Sequence, residues 1–229
     1  MSFNVEQHGF AVVSDIVDAS TRHELISTIG PCYGAGLRGL LALPAVASLA
    51  SSPALLQLIR PHLAAKPFPV RAIFFDKSPD ANWFVTWHQG LTIAVRDRAD
   101  IPGYGQWSIK EGVPHVQPPA EILEQMLAVR IHLDAADENN GALRVLPGSH
   151  TAGCLSESQI VDVRDRVAEV TCVVEAGGAM LMRPLLLHAS GRSLNGLHRR
   201  VLHIEYAGCE LPPELVWKEG TRSADLLLP

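Results

Sequence analysis

Two histidines and an arginine, far apart in the chain, have types and spacings suited to holding a metal ion and an acid. His88 lies in the run Trp83 to Val95, whose aromatic and β-branched residues predict a strand. Because strand side chains alternate between two faces, position 90 is expected on the face of His88. A His followed two residues later by a carboxylate supplies two of the three ligands of a mononuclear iron(II) site, and a distant His supplies the third. In this chain, position 90 is Gly.

His188 is the candidate for the distant ligand. It ends the apolar run Met180 to His188 and precedes a glycine-containing loop, which places it at the rim of a predicted β structure. Arg199 and Arg200 follow eleven and twelve residues later and open the next predicted strand, Val201 to Tyr206. An arginine there is well placed to pair with a carboxylate bound beside the metal. Strand alternation alone does not choose between the two arginines.

Simpler structural roles compete with each candidate. The chain has 10 histidines, so a hydrogen-bonded core histidine is the more common fate for His88 taken alone. His132 and His203 lie in predicted strands and are expected to be core or rim residues. Asp97 and Asp134 lack the two-residue offset from a histidine that the metal motif requires. The pairing of His88 with the His188 and Arg199 segment therefore favours the metal-site interpretation.

The order of predicted elements indicates how these residues are positioned. Helices are expected over about 19–62, and short strands separated by Gly and Pro turns over about 70–207. The connection over about 96–119 is rich in Gly and Pro but also carries aromatic residues, which is typical of an ordered flap without regular elements. This pattern predicts an antiparallel double-sheet fold with helices packed outside it. Residues 1–229 are expected to form one domain.

Composition excludes several classes of function. The formal net charge of −5 argues against nucleic-acid binding by a basic surface. No apolar run reaches the roughly 18 residues of a membrane span, and no leader pattern opens the chain, so a cytoplasmic protein is expected. The four cysteines are widely spaced and predict reduced, buried thiols rather than disulfides or a zinc site.

Three groups of residues together resemble the phytanoyl-CoA dioxygenase family of iron(II)/2-oxoglutarate oxygenases. They are Trp87-His88-Gln89, the run Glu138 to His150 with its Asn-Gly and Pro-Gly-Ser-His elements, and His188-Ala-Ser190 with Arg199. The similarity spans roughly positions 5 to 207. The combination is specific, whereas each piece alone is weak.

The resemblance implies a mainly β fold, a double-stranded β-helix or jelly roll of the cupin type with flanking helices. It also implies Fe(II), 2-oxoglutarate and O2 as cofactor and cosubstrates. His88 and His188 would bind iron. Arg199 would pair with the distal carboxylate of 2-oxoglutarate, and Ser190 would hydrogen-bond it. The family spacing thus selects Arg199 over Arg200.

Gly90 departs from the family, whose hydroxylases carry Asp at this position. In one interpretation, Gly90 leaves a coordination position for chloride, as in the related aliphatic halogenases, and chloride is transferred to an unactivated carbon of a small molecule. In a second, a natural or engineered substitution has weakened the iron site of a hydroxylase. In a third, the domain binds a small molecule without catalysis. The sequence leaves all three open.

The substrate pocket is predicted less sharply. Candidate lining residues are Phe75, Lys77, Trp107 and Lys110, although packing of a flap on the barrel rim explains them equally well. Thr92 is expected on the His88 face, near the 2-oxoglutarate or halide space. A positive lining for an anionic substrate is available from Arg71, Lys77, Arg98, Lys110 and Arg130. A small-molecule substrate is expected, while its identity and the oligomeric state are not predicted.

Overall fold

The computed structural model of this chain describes residues 3–34 and 36–220. Six α-helices lie in these ranges: α1 (Val5–His8), α2 (Ala19–Ile29), α3 (Pro44–Ala50), α4 (Pro53–Ile59), α5 (Ala120–Glu124) and α6 (Glu157–Arg166). Short 3-10 turns cover Leu40–Ala42, Arg60–His62 and Ser149–Ala152. No helix in the described ranges is long and apolar enough to cross a membrane.

Thirteen strands in the described ranges form three antiparallel sheets. The six-stranded sheet has the order β1 (Phe10–Val13), β11 (Ala179–Met182), β8 (Met126–His132), β13 (Arg199–Ala207), β3 (Phe68–Lys77) and β2 (Leu37–Arg38). The four-stranded sheet has the order β10 (Val170–Thr171), β9 (Leu143–Val145), β12 (His188–Ser190) and β4 (Val85–His88). The third sheet has the order β5 (Ile93–Ala94), β7 (Val113–Gln117) and β6 (Gly105–Lys110).

The two larger sheets face each other, as the predicted double-stranded β-helix requires. A buried apolar cluster joins Ala128 and Met180 of the six-stranded sheet to Leu143 and Val145 of the four-stranded sheet. The expectation of a mainly β jelly roll with flanking helices is confirmed. The single-domain organisation of residues 1–229 stays a prediction.

The six-stranded sheet has two different faces. Its outer face carries apolar residues such as Phe74, Leu202 and Ile204, which pack in one cluster with Leu25 of α2 and Leu55 of α4. Its inner face, turned toward the four-stranded sheet, is more polar. In cross-strand register it presents Arg71, Phe75 and Lys77 of β3, Arg199, Val201, His203 and Glu205 of β13, and Arg130 and His132 of β8. The strand period of two therefore separates stabilising residues from polar ones.

The prediction of one continuous strand from Trp83 to Val95 is wrong. The backbone leaves the sheet after His88, because the Gln89 side chain and the Gly90 amide bind carbonyls outside the β4–β12 ladder. Pairing resumes only at β5. Alternation of faces therefore does not extend from His88 to positions 90 and 92.

Two further expectations about the chain need correction. The segment 96–119 was expected to lack regular elements but contains the β6–β7 hairpin, whose turn Gly112 closes with a φ of +77°. Of the four cysteines, only Cys172 is buried, while Cys154 is exposed; all four are unpaired. The expectation of buried thiols is therefore correct for Cys172 and wrong for Cys154.

Candidate functional site

The two candidate metal ligands are cross-strand neighbours. β12 pairs with β4 so that His188 lies opposite His88, and their ring centroids are 4.2 Å apart. Each Nδ1 bonds the backbone carbonyl two residues earlier, at Thr86 (2.9 Å) and Leu186 (2.8 Å). A carbonyl only accepts, so Nδ1 carries the proton and each Nε2 keeps a free lone pair. Such an arrangement fixes the tautomer and orientation of metal-binding imidazoles.

The electrostatic environment keeps His188 in the form that binds metals. Burial, and then the neighbouring His88, lower the pKa of His188 well below its ordinary value. Neutral imidazole is the ligand form of histidine. His188 is therefore ready to coordinate a cation at neutral pH.

Gly90 offers no ligand atom from a side chain. Its amide donates to the Pro184 carbonyl oxygen at 2.8 Å, and its φ lies outside the left-handed region. A Cβ at this position would lie 3.3 Å from the same oxygen, a close approach that a small shift would relieve. Among the described residues, no cluster of three or more His, Cys, Asp or Glu side chains could hold a metal. The described residues thus offer two imidazoles without the carboxylate of the usual facial triad.

Other parts of the recognised motifs hold this pair in place. The buried Gln89 amide donates to the carbonyls of Leu185 (2.7 Å) and Gly153 (2.8 Å), and its oxygen accepts from the Leu155 amide (2.8 Å). The Ser149 hydroxyl accepts from the Leu187 amide at 2.9 Å. Trp87-His88-Gln89 and the Pro-Gly-Ser-His turn therefore anchor the segments that carry the two histidines.

A buried cationic pocket lies at the other end of β12. Arg199 is 2% exposed and donates from Nη1 to the Gly141 carbonyl at 2.8 Å. Lys77, its cross-strand neighbour on β3, is fully buried and donates to the Ser190 hydroxyl at 3.1 Å and to the Gly191 carbonyl. Ser190 is two residues from His188. The candidate metal and acid positions are therefore adjacent along one short strand.

In the described part of the chain neither Lys77 nor Arg199 forms an ion pair, and Asp76, which acts electrostatically on Arg199, is hydrogen-bonded to His198. Burial, followed by repulsion from Arg199 and Arg130, lowers the pKa of Lys77 to about 7. Burial lowers the pKa of Arg199 to about 10, and its Nε has no hydrogen-bond partner in the described structure. Buried charges are stable only when paired. A carboxylate such as the distal one of 2-oxoglutarate fits this pocket.

The structure distinguishes Arg199 from Arg200. Arg200 points to the other face of β13 and forms an ion pair with Asp134 through contacts of 2.7 and 2.8 Å. Asp134 is therefore engaged away from the candidate metal position, and Asp97 is exposed. Neither aspartate replaces the missing carboxylate.

Further polar residues share the inner face. Arg130, His132 and His203 are buried or nearly so, and His203 lies between Arg130 (3.1 Å) and Glu205 (3.3 Å). From the sequence the two histidines are expected at core or rim positions, and Arg130 only as part of a positive lining. The signal that points to them is the strand period, which puts positions 130, 132, 203 and 205 on one face.

The predicted substrate residues fall into two groups. Phe75 and Lys77 lie on the inner face beside the cationic pocket. Trp107 and Lys110 lie on β6, where the Arg98 guanidinium is 5.5 Å from the Trp107 ring centroid and Lys110 donates to Thr92 at 3.3 Å. Thr92 lies between β4 and β5, outside any strand, which corrects its expected position on the His88 face.

A cleft of about 1200 Å³ lies elsewhere in the described part of the chain. Its lining includes Gly39, Phe68, Arg96 and Lys218, and no predicted site residue. This cleft is large enough for a ligand, but it does not include the two histidines, which lie inside the barrel.

Comparison with solved structures shows the same fold in several proteins. AviO1 from Streptomyces viridochromogenes Tue57 matches with a TM-score of 0.65 and 22% identity, over 91% of this chain and 94% of that chain. EctD from S. alaskensis in its apoform matches with a TM-score of 0.67 and 17% identity, over 94% and 82%. HygX from Streptomyces hygroscopicus, with nickel, 2-oxoglutarate and hygromycin B bound, matches with a TM-score of 0.63 and 18% identity, over 89% and 84%.

Comparison with sequences gives a family. A search of curated proteins finds no match. The family model described as phytanoyl-CoA dioxygenase (PhyH) matches residues 5–201, most of the chain. The paired imidazoles, the buried arginine and this match agree. The chain belongs to the phytanoyl-CoA dioxygenase family of iron(II)/2-oxoglutarate oxygenases.

Proposed function

We propose that this protein is an Fe(II)/2-oxoglutarate-dependent enzyme that acts on an unactivated carbon of a small molecule. The observation that carries the proposal is the His88–His188 pair, with both Nε2 atoms free, at one end of β12 while a buried cationic pocket lies at the other end. Bound iron, with 2-oxoglutarate and O2, supplies the oxidising power to break a carbon–hydrogen bond. Membership of the family supports this assignment.

The chain's own residues bind and orient the reactants. His88 and His188 hold the metal through Nε2. Arg199, Ser190 and Lys77 hold the distal carboxylate of 2-oxoglutarate, which sets the distance of the other end from the metal. The β6–β7 hairpin, with Trp107 and Lys110, is proposed to close over the substrate and to exclude water around it.

The position at Gly90 is proposed to take chloride. An Asp at this position would bring one negative charge and one oxygen ligand, and Gly90 brings neither. A chloride ion would restore that charge, in a barrel whose inner face carries the buried cations Lys77, Arg130 and Arg199. With chloride on the metal, the enzyme would transfer halogen to the substrate carbon instead of a hydroxyl group.

Oxidation without halogen is the second candidate. It is favoured by similar structures, which include the non-heme alpha ketoglutarate dependent epimerase SnoN from nogalamycin biosynthesis and HygX with hygromycin B bound. In that case water occupies the Gly90 position, or the substitution has weakened a hydroxylase. A domain that binds a small molecule without turnover is the third possibility.

The first experiment is an anaerobic titration of iron(II) and 2-oxoglutarate into the metal-free protein, with and without chloride. The family resemblance predicts a weak visible charge-transfer band when both bind. A band that chloride shifts or tightens supports an inner-sphere halide. A band without chloride response favours oxidation without halogen, and the absence of any band contradicts the enzymatic proposal.

Gly90→Asp provides an independent test, with Gly90→Ala as a matched control that adds a Cβ without a charge. Both variants place the same Cβ, which meets the Pro184 oxygen at 3.3 Å and requires the same small shift, and φ at Gly90 lies outside the left-handed region. We expect Gly90→Asp to tighten iron(II) binding and to remove the chloride response, while Gly90→Ala keeps that response. Equal chloride responses in the two variants would contradict halide binding at this position.

A further inference from the structure

One arginine inside the barrel has no assigned role. Arg130 is 6% exposed and lies on β8, opposite His203 of β13 and Met180 of β11. Its only hydrogen bond in the described structure runs from Nη1 to the His203 Nδ1 at 3.1 Å, and its Nε has no partner. A guanidinium carries five donors in a fixed plane, and in the described structure Nε of this group is buried without a partner.

The nearby carboxylate does not neutralise Arg130. Glu205 accepts from the Arg71 guanidinium at 3.4 Å and from the His203 Nε2 at 3.3 Å. His203 is therefore a neutral ring that accepts from Arg130 and donates to Glu205. One carboxylate serves two guanidinium groups, and Arg71 contacts it directly. Burial, followed by repulsion from Arg199, lowers the pKa of Arg130 to about 9, as expected for an unpaired buried cation.

The surroundings indicate what kind of group would pair with Arg130. The Phe75 ring centroid is 5.5 Å from the guanidinium carbon, and Met180 is its cross-strand neighbour, so two apolar side chains flank the guanidinium. Arg130 acts electrostatically on both Arg199 and His188, which places it near the cationic pocket and the histidine pair. His132, also buried and with an unpartnered Nδ1, lies next to Arg130 on the same strand face.

We propose that Arg130, backed by His203, is a second carboxylate-binding residue inside the barrel, separate from the Arg199 anchor. A carboxylate fits because its two oxygens match the unpaired donors of the guanidinium and its single charge restores neutrality. The carboxylate comes either from the keto-acid end of 2-oxoglutarate or from a substrate. The inference rests on the proposed function, in which Arg199 holds the distal end of 2-oxoglutarate.

The test uses zinc(II)-loaded protein, because zinc has no redox chemistry. Binding of 2-oxoglutarate, and of hexanoate at saturating 2-oxoglutarate, is measured by calorimetry. The variants are Arg130→Gln, Arg199→Gln and, as a matched control, Arg144→Gln, which removes a half-exposed arginine paired with Glu169.

Two results support the proposal and name the source of the carboxylate. If Arg130→Gln weakens the binding of 2-oxoglutarate at least about tenfold, the carboxylate that pairs with Arg130 is the keto-acid end of 2-oxoglutarate. If 2-oxoglutarate is unaffected but hexanoate binds the wild type and not the variant, the group belongs to a substrate. The proposal is overturned if Arg130→Gln binds both probes with wild-type affinity. It is also overturned if hexanoate binds neither protein and 2-oxoglutarate binds both with equal affinity. Unchanged 2-oxoglutarate binding by Arg199→Gln contradicts the proposed function instead.

Stability of the ligand-free protein separates a binding role from a structural one. An unpaired buried cation does not stabilise the fold, so Arg130→Gln should unfold at a temperature no lower than that of Arg144→Gln. A much lower unfolding temperature, with unchanged ligand binding, contradicts the proposal. If Arg130→Gln fails to fold, Arg130→Lys replaces it, since this variant keeps the charge and loses the planar donors. Wild-type binding of both probes by Arg130→Lys then overturns the proposal.

Discussion

At the scale of single residues, burial changes the chemistry of Lys77. A lysine in water keeps its proton far above neutral pH, whereas burial and two neighbouring arginines lower the pKa of Lys77 to about 7. At pH 8, most free protein molecules therefore carry a neutral amine at this position. A carboxylate bound at Ser190 and Arg199 favours the protonated amine and raises this pKa again.

Binding of 2-oxoglutarate should therefore take up protons at pH 8. The affinity should fall as pH rises above 7, because the proton held in the complex is no longer present in the free protein. Calorimetry at pH 8 in two buffers with different ionisation enthalpies measures this uptake. Lys77→Met should bind more weakly and show no buffer dependence. Equal proton uptake by wild type and Lys77→Met would show that another group titrates.

Gly141 is required by the cationic pocket for a steric reason. Its φ is +76°, and a Cβ there would lie 2.6 Å from the Gly191 oxygen and 3.1 Å from the Lys77 Nζ. Its own carbonyl accepts from Arg199. The Asn-Gly pair in the family motif thus allows three segments to meet around the acid site.

Gly141→Ala should lower the unfolding free energy by more than the strain of a left-handed backbone explains, because the added Cβ also clashes with the Gly191 oxygen. Gly112→Ala is the control, because Gly112 has a φ of +77° and nothing within 4 Å of an added Cβ. The control should cost about 1–2 kcal/mol of unfolding free energy from the left-handed backbone. Gly141→Ala should cost more and weaken 2-oxoglutarate at least about tenfold. Chemical denaturation and calorimetry measure both effects, and equal effects of the two variants would contradict the clash.

At the scale of elements, the β4–β12 pair aligns the two histidines and the Gln89 side chain ends β4. Three hydrogen bonds from this buried amide connect the residues after His88 to the segments at Gly153 to Leu155 and at Leu185. The strand therefore ends just before Gly90, the position that has no side chain to bind a metal. A short strand followed by a tethered loop gives the metal side of the site its shape.

Gln89→Leu should leave two carbonyls and one amide without partners. We expect a loss of about 1–3 kcal/mol of unfolding free energy and about tenfold weaker zinc(II) binding, because the loop no longer fixes His88. Gln57→Leu, at an exposed position of α4, is the control and should change neither quantity. Zinc(II) affinity that stays at the wild-type value in Gln89→Leu would show that the strand pairing alone aligns the histidines.

At the scale of the whole molecule, one face of the six-stranded sheet stabilises the fold and the other face carries the candidate binding residues. The outer face packs against the helices through apolar residues, and the inner face carries arginines, a lysine and histidines. Burial of apolar area stabilises the fold without regard to ligands. The inner cations contribute binding and little stability until an anion arrives.

Substitutions on the two faces should therefore have opposite effects. Leu202→Ala, on the outer face, should lower the unfolding free energy by about 2–5 kcal/mol and leave the 2-oxoglutarate affinity of the folded protein unchanged. Arg199→Gln should strongly weaken the binding of 2-oxoglutarate and should change the unfolding free energy of the ligand-free protein little. Arg200→Gln, whose partner Asp134 lies away from the pocket, is the control for charge removal. Loss of ligand affinity in Leu202→Ala would contradict this division.

The sequence by itself determined the family and the jelly-roll class, and it predicted His88, His188 and Arg199 as parts of one site. Local features also include the apolar run Ala179–Met182 of β11 and the capping box of Ser156 with Gln159 at α6. At α2 the N-cap is Asp18, whose side chain accepts from the Thr21 amide. Such features depend on residues close in the chain or on motifs, which a single sequence contains.

Only the tertiary structure decided which side chains meet. The break after His88 comes from Gln89 contacts with residues 64 and 96 positions away, which no local propensity encodes. The approach of Lys77 to Ser190, and of Arg130 to His203, follows from the register of strands distant in sequence. Long-range pairing sets burial and charge neighbours, and these set the pKa values and unpaired donors from which the site's chemistry follows.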